Sequence, residues 1–153
     1  MIELRWISPT VDSELYKGER RLRYEVLRKP LGMPEGSEEN AAEARCEHCV
    51  AVSDGIVVGC VLWLADPANP ADIESRKGKL LQMAVAVDRR NSDIGRRLVR
   101  ELERHVAAHG VQVVRMHARE SALGFYLKLG YVVTGDPFTE VGLPHRLMQR
   151  SLG

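Results

Sequence analysis

Near the start of the chain Ile2, Leu4 and Trp6 alternate with Glu3 and Arg5, the period of a half-buried strand, and Ser8-Pro9-Thr10 ends it. From Asp12 to Leu27 the period becomes helical. Leu15, Leu22, Val26 and Leu27 carry the apolar face, and charged residues fill the remaining positions. Pro30, Gly32, Pro34 and Gly36 mark a loop, and Glu38 to Arg45 is too polar to be core. Two apolar stretches follow, Cys46 to Val52 and Ile56 to Leu64, split by Ser53-Asp54-Gly55. Asp-Gly between two such stretches predicts a hairpin, because both central residues of a tight turn need positive φ.

Asp66 to Gly78, rich in Pro, Ala and Asp, is expected to be loop. Leu80 to Val87 is almost continuously apolar, which predicts a strand central in its sheet. After a polar turn, Ile94, Leu98, Leu102 and Val106 fall on one helical face that closes at His109-Gly110. Val111 to Met116 reads as a buried strand, Ser121 to Leu129 as a short helix before Gly130, and Tyr131 to Thr134 and Arg146 to Leu152 as final strands. The order β-α-β-β-β-α-β-α-β-β predicts an α/β fold, a central mixed sheet flanked by helices, in one domain spanning 1–153. A chain of 153 residues is long enough for one substantial core.

A net charge of +1 argues against a duplex nucleic-acid partner. No apolar run is long enough to cross a bilayer, and Met1 to Arg5 lacks a basic segment before an apolar one, so no membrane partner and a cytoplasmic location are expected. Three cysteines fit a reducing compartment better than a disulfide framework. Cys46-Glu47-His48-Cys49 looks like half a zinc site, yet strand alternation puts Cys46 and His48 on one face and Cys49 on the other, and no second pair follows. No metal is expected, and Cys60 reads as a small core residue.

The strand–turn–helix through Arg90 to Gly95 is the main candidate for chemistry. Such a junction gathers backbone N–H groups at one point and suits a phosphate. The glycine patterns of a P-loop or a dinucleotide site are absent. Ser92 or Asp93 as an N-cap accounts for both residues without a ligand, and a carboxylate at position 93 repels a diphosphate unless it turns away. Tyr126, beside Phe125, reads as core or catalyst. His145, after Gly142-Leu143-Pro144, reads as an exposed loop histidine or a general base. Arg28 and Arg119 default to surface salt bridges.

Together these segments resemble the GNAT superfamily of acyl-CoA-dependent N-acyltransferases, over nearly the whole chain. Arg90-Asn91-Ser92-Asp93-Ile94-Gly95 occupies the place of the family's diphosphate turn, and Phe125-Tyr126 ahead of Gly130-Tyr131 matches its tyrosine helix. Leu22-Arg23-Tyr24-Glu25-Val26-Leu27-Arg28, His117-Ala118-Arg119 and Gly142-Leu143-Pro144-His145 are similar to three motifs of the glyphosate N-acetyltransferase type. Asp93 stands where the turn has its first glycine. Leu81 stands where that type has an arginine holding the acceptor's acid groups, which implies a different or less anionic acceptor.

The resemblance implies transfer of an acetyl group from acetyl-CoA to the amine of a small, acidic acceptor. The backbone of Met83, Ala84 and Val85 would pair with the pantetheine arm, and Asn91, Ser92, Asp93, Ile94, Gly95 and Arg96 would hold the diphosphate. His145 would be the base and Tyr126 would protonate or hold the departing thiolate, with Arg28 and Arg119 gripping the acceptor's acid. An acyl-CoA sensor of this fold and a peptide acetyltransferase are the alternatives. Edge strands near the C-terminus are compatible with a homodimer.

Overall fold

The computed structural model describes residues 1–65 and 77–153. Its strands are β1 (Glu3–Ile7), β2 (Glu47–Ser53), β3 (Ile56–Ala65), β4 (Lys77–Val85), β5 (Val113–Arg119), β6 (Val132–Val133), β7 (Phe138–Glu140) and β8 (Leu143–Ser151). The α-helices are α1 (Ser13–Leu27), α2 (Ile94–Ala108) and α3 (Leu123–Lys128). One sheet runs in the order β1-β2-β3-β4-β5-β8-β6, with β7 added to β8. Among the described residues only β4 and β5 run parallel, joined by the α2 crossover, so the sheet is mixed as the element order predicted.

Strand alternation sorts the core into two layers. Cys49, Ala51, Val61, Trp63, Val114 and Met116 meet α2 and α3 through Leu98, Leu102 and Tyr126. Val50, Val52, Cys60 and Leu62 form the opposite layer with Leu22 of α1. The Asp54-Gly55 turn adopts positive φ at both residues, 50° and 78°, as its sequence predicted. Cys46 and His48 do lie on the α1 side, with Cys49 on the other, and all three cysteines are free thiols. No helix of the described residues is long and apolar enough to cross a membrane.

Several boundaries differ from the sequence reading. β4 starts at Lys77 and ends at Val85, so Lys77 and Gly78 are strand rather than loop; residues 66–76 of the expected loop lie outside the described residues. Gly78 is required there because a Cβ would run into the Trp63 ring. β5 runs on to Arg119, and β8 begins at Leu143, which places His145 inside a strand and nearly buried rather than on an exposed loop. The three-residue strand β7 was not foreseen.

The largest departure concerns charge. Glu19 and Arg23 of α1 are fully buried, and Glu38, in a segment expected to stay outside the core, is 4 % exposed. Glu19 and Arg23 share the helical stripe of Leu15, Leu22 and Val26, so the pattern that identified the apolar face also carried two charges into it.

A candidate active site where two parallel strands part

β4 and β5 pair only from Lys77 to Lys79, against Val113 to Arg115. Beyond that point β4 is laddered to β3 alone, through Leu80, Leu81, Ala84 and Val85, and β5 to β8 alone. The facing edges therefore carry backbone N–H and C=O groups with no strand between them. They open into a cleft of about 1250 Å³. The residues that the resemblance implied for the site all line it: Met83, Ala84 and Val85, the turn from Asn91 to Arg96, Tyr126, His145, Arg28 and Arg119.

One end of the cleft is the start of α2. Asn91 and Asp93 have positive φ, 66° and 70°, and the first bond of the helix ladder runs from the Arg97 N–H to the Asp93 carbonyl. The N–H groups of Ile94, Gly95 and Arg96 precede that ladder, and no side chain caps them. This corrects the N-cap reading. The Ser92 hydroxyl donates to the Arg89 carbonyl, and Asp93 accepts from Arg96 Nε and Nη2 at 2.7 and 2.6 Å. Those hydrogen bonds, with the Arg96 charge, hold the Asp93 carboxyl below its ordinary range. The Asp93 charge is thus matched by an adjacent guanidinium rather than aimed at the helix end. Gly95 gives Phe125 room, since a Cβ would sit 3.1 Å from its ring.

Tyr126 lies midway, with its hydroxyl 3.9 Å from the Met83 sulfur. Burial pushes its phenol well above the ordinary range, so it is a neutral donor at any working pH.

The other end combines the close of α1, β5 and the β7–β8 hairpin. His145 Nδ1 lies 2.9 Å from the Leu143 carbonyl, which can only accept, so Nδ1 carries the proton and Nε2 holds the lone pair of the neutral ring. Phe138 stacks on His145 and meets His117 edge-on. Glu140 reaches His117 Nδ1 at 2.9 Å and lies 3.7 Å from His145 Nε2. Sequence reasoning missed Glu140 because β7 was not recognised, and with it the pairing of Glu140 with His117, which it had named only as part of a motif.

Arg28 and Arg119 are not the surface salt bridges their residue type suggests. Arg28 donates to the Ser37 and Leu27 carbonyls, and Arg119 donates to the Leu27 carbonyl at 2.8 Å. Neither has an acid partner among the described residues. Burial lowers both guanidinium pKa values, and the charges of Arg119 and then Arg23 lower that of Arg28 further. Leu81 packs at the edge of the α1-side core.

Glu19, Glu43 and His48 offer ligand atoms within 4.8 Å of one another, a grouping that sequence spacing did not reveal. Arg23 donates to both carboxylates, so the cation of this cluster is the guanidinium itself.

The edge of β4 and the uncapped N–H groups of α2 suit a long polar ligand ending in a diphosphate. Comparison with known proteins agrees. The profile of the family described as acetyltransferase (GNAT) domain matches residues 21–152. The Bacillus subtilis protein named uncharacterized N-acetyltransferase YjcF is 28% identical over 130 residues, covering 84% of this chain and 87% of that one. An acyl-CoA N-acyltransferase from Pseudomonas aeruginosa superposes with a TM-score of 0.81 at 18% identity, covering 98% of this chain and 99% of that one. An aminoglycoside 6'-N-acetyltransferase complexed with coenzyme A superposes with a TM-score of 0.72 at 20% identity, covering 98% and 97%. The chain belongs to the GNAT acetyltransferase family, whose acyl donor is acetyl-CoA.

Proposed function

We propose that the protein acetylates the amine of a small acceptor bearing a carboxylate or phosphonate, the reaction type of glyphosate N-acetyltransferase. The observation that carries this reading is the pair Arg28 and Arg119, half-buried guanidinium groups that line the cleft beside His145 and, among the described residues, have only backbone carbonyls as hydrogen-bond partners. Planar guanidinium groups without an acid partner suit bidentate recognition of an oxyanion.

Acetyl-CoA supplies an acyl group on a thiolate leaving group. The open edge of Met83, Ala84 and Val85 would hold the pantetheine arm, and the turn from Asn91 to Arg96 would hold the diphosphate. Near neutral pH an alkyl ammonium is largely protonated, so the acceptor must lose a proton before its nitrogen attacks the acetyl carbon. His145 Nε2, with its lone pair free, is suited to take that proton. As the carbon–sulfur bond breaks, the Tyr126 hydroxyl would donate to the departing sulfur. Its raised pKa fits a hydrogen-bond donor better than a titrating acid. A β4 backbone N–H would steady the oxyanion. We place the reaction in the cytoplasm, where three free thiols stay reduced.

The test is release of free thiol from acetyl-CoA across amines with and without acid groups. Acidic amines should turn over and their esters should not; equal rates for the two would remove the arginine assignment. Tight acetyl-CoA binding without thiol release from any amine would instead favour a cofactor sensor.

A further inference from the structure

On the face of the sheet opposite α2, a buried polar cluster meets β4 at one residue, Gln82. It is the polar position in an otherwise apolar run, Leu80-Leu81-Gln82-Met83-Ala84-Val85. Its φ is +45°, a left-handed conformation that L side chains rarely adopt and that is unusual within a strand. The register shows why. Leu81 pairs with Leu62 and Ala84 with Cys60, so Gln82 and Met83 together oppose Val61. This is a β-bulge, which bends a strand and turns its backbone groups. It lies just past Lys79, where β4 and β5 separate, and just before the Met83–Val85 edge of the cleft.

Positive φ at a glutamine needs outside support, and the side chain has it. Its Oε1 accepts from Arg23 Nη2 at 2.7 Å and from Asn40 Nδ2 at 3.1 Å, and its Nε2 donates to the Glu38 carbonyl at 2.7 Å. Arg23 also donates to Glu19, Glu43 and the Glu38 carbonyl. A fully buried guanidinium fixed on that many acceptors is a rigid anchor. The segment that supplies Glu38 and Asn40 also supplies Ser37, whose carbonyl accepts from Arg28.

We infer that Gln82 is a positioning residue for acetyl transfer: its side chain, clamped by Arg23, Asn40 and the Glu38 carbonyl, holds the β4 bulge and ties it to the segment that supports Arg28. The inference rests on acetyl transfer occurring in this cleft, not on the identity of the acceptor. Gln82 borders the cleft, and the role inferred for it is exercised through the backbone of its neighbours.

The test compares Gln82→Ala and Gln82→Gly with wild type by thiol release, with acetyl-CoA affinity and thermal stability measured alongside. Gln82→Ala loses the clamp and still disfavours positive φ. Its kcat should fall roughly ten- to hundredfold, the order expected for a small misplacement of reacting groups, while acetyl-CoA affinity is retained through the diphosphate turn. Gln82→Gly also loses the clamp, but glycine adopts positive φ freely, so it should recover much of that kcat. A role in stability alone would lower the melting temperature of both variants and leave kcat unchanged, which overturns the inference. So would a glycine variant as slow as the alanine variant. Failure of wild type to release thiol with any amine counts against the proposed function instead.

Discussion

Arg23 and Arg28 stand five positions apart in one short motif and end in opposite surroundings. Arg23 is fully buried and met by Glu19, Glu43, the Glu38 carbonyl and Gln82. Arg28 is half-buried in the cleft wall, has backbone carbonyls for partners, and is repelled by Arg119 and Arg23. A guanidinium ringed by carboxylates has its charge compensated and serves as scaffold. One held by carbonyls alone keeps its charge available for an incoming anion. The α1 face of the sheet is therefore a closed electrostatic unit, whereas the cleft is left open to complete itself with a ligand.

If that contrast is right, substitutions on the two sides should separate activity from stability. The largest effect belongs to the cleft: His145→Ala should lower kcat by about 10²–10⁴-fold with little loss of stability, measured by thiol release and thermal melting. An unchanged rate would take His145 out of the mechanism. Arg23→Ala should act first on stability, since it strands buried Glu19 and Glu43, and any fall in kcat should stay within that of Gln82→Ala, whose clamp it loosens. Chemical denaturation should show a loss of about 3–5 kcal/mol, the cost of breaking a buried ion pair from one side.

A smaller effect concerns acid. Burial opposes ionisation of Glu43, but hydrogen bonds from Arg23 and Tyr16 and the Arg23 charge outweigh it and bring the carboxyl down to about 2. Because the folded value lies below the unfolded one, the stabilisation is complete above the ordinary glutamate range and is lost as pH falls toward 2. Its size is on the order of 3 kcal/mol. Urea titrations at descending pH should show this loss in wild type and a reduced one in Glu43→Gln. The smallest effect is Arg28→Lys, which keeps the charge and loses the planar fork. It should cost roughly tenfold in kcat/KM for an acidic acceptor, with the melting temperature unchanged.

How far the sequence revealed this molecule follows from what each signal encodes. Alternation and helical period located β1 to β5 and the three helices, and Asp54-Gly55 specified its turn, because these depend on local sterics and on burial of apolar faces. Every residue proposed for the site lines one cleft, since the motifs carrying them sit at strand and helix ends that the topology brings together. The buried charges were not singled out, because only a partner such as Glu43, distant in sequence, makes the burial of Glu19 and Arg23 tolerable. Gln82 gave no warning either, because glutamine does not advertise positive φ. β7 was missed because three residues are too few to show a period.

The central claim is that Arg28 and Arg119 together meet the acid group of the acceptor. The direct measurement is the ratio of kcat/KM for an acidic amine to that for its neutral ester, in wild type and in the double variant Arg28→Ala/Arg119→Ala, with acetyl-CoA as donor. A strong wild-type preference for the acid that collapses in the double variant, with protein stability intact, is the predicted result. A preference that survives loss of both arginines would contradict the account.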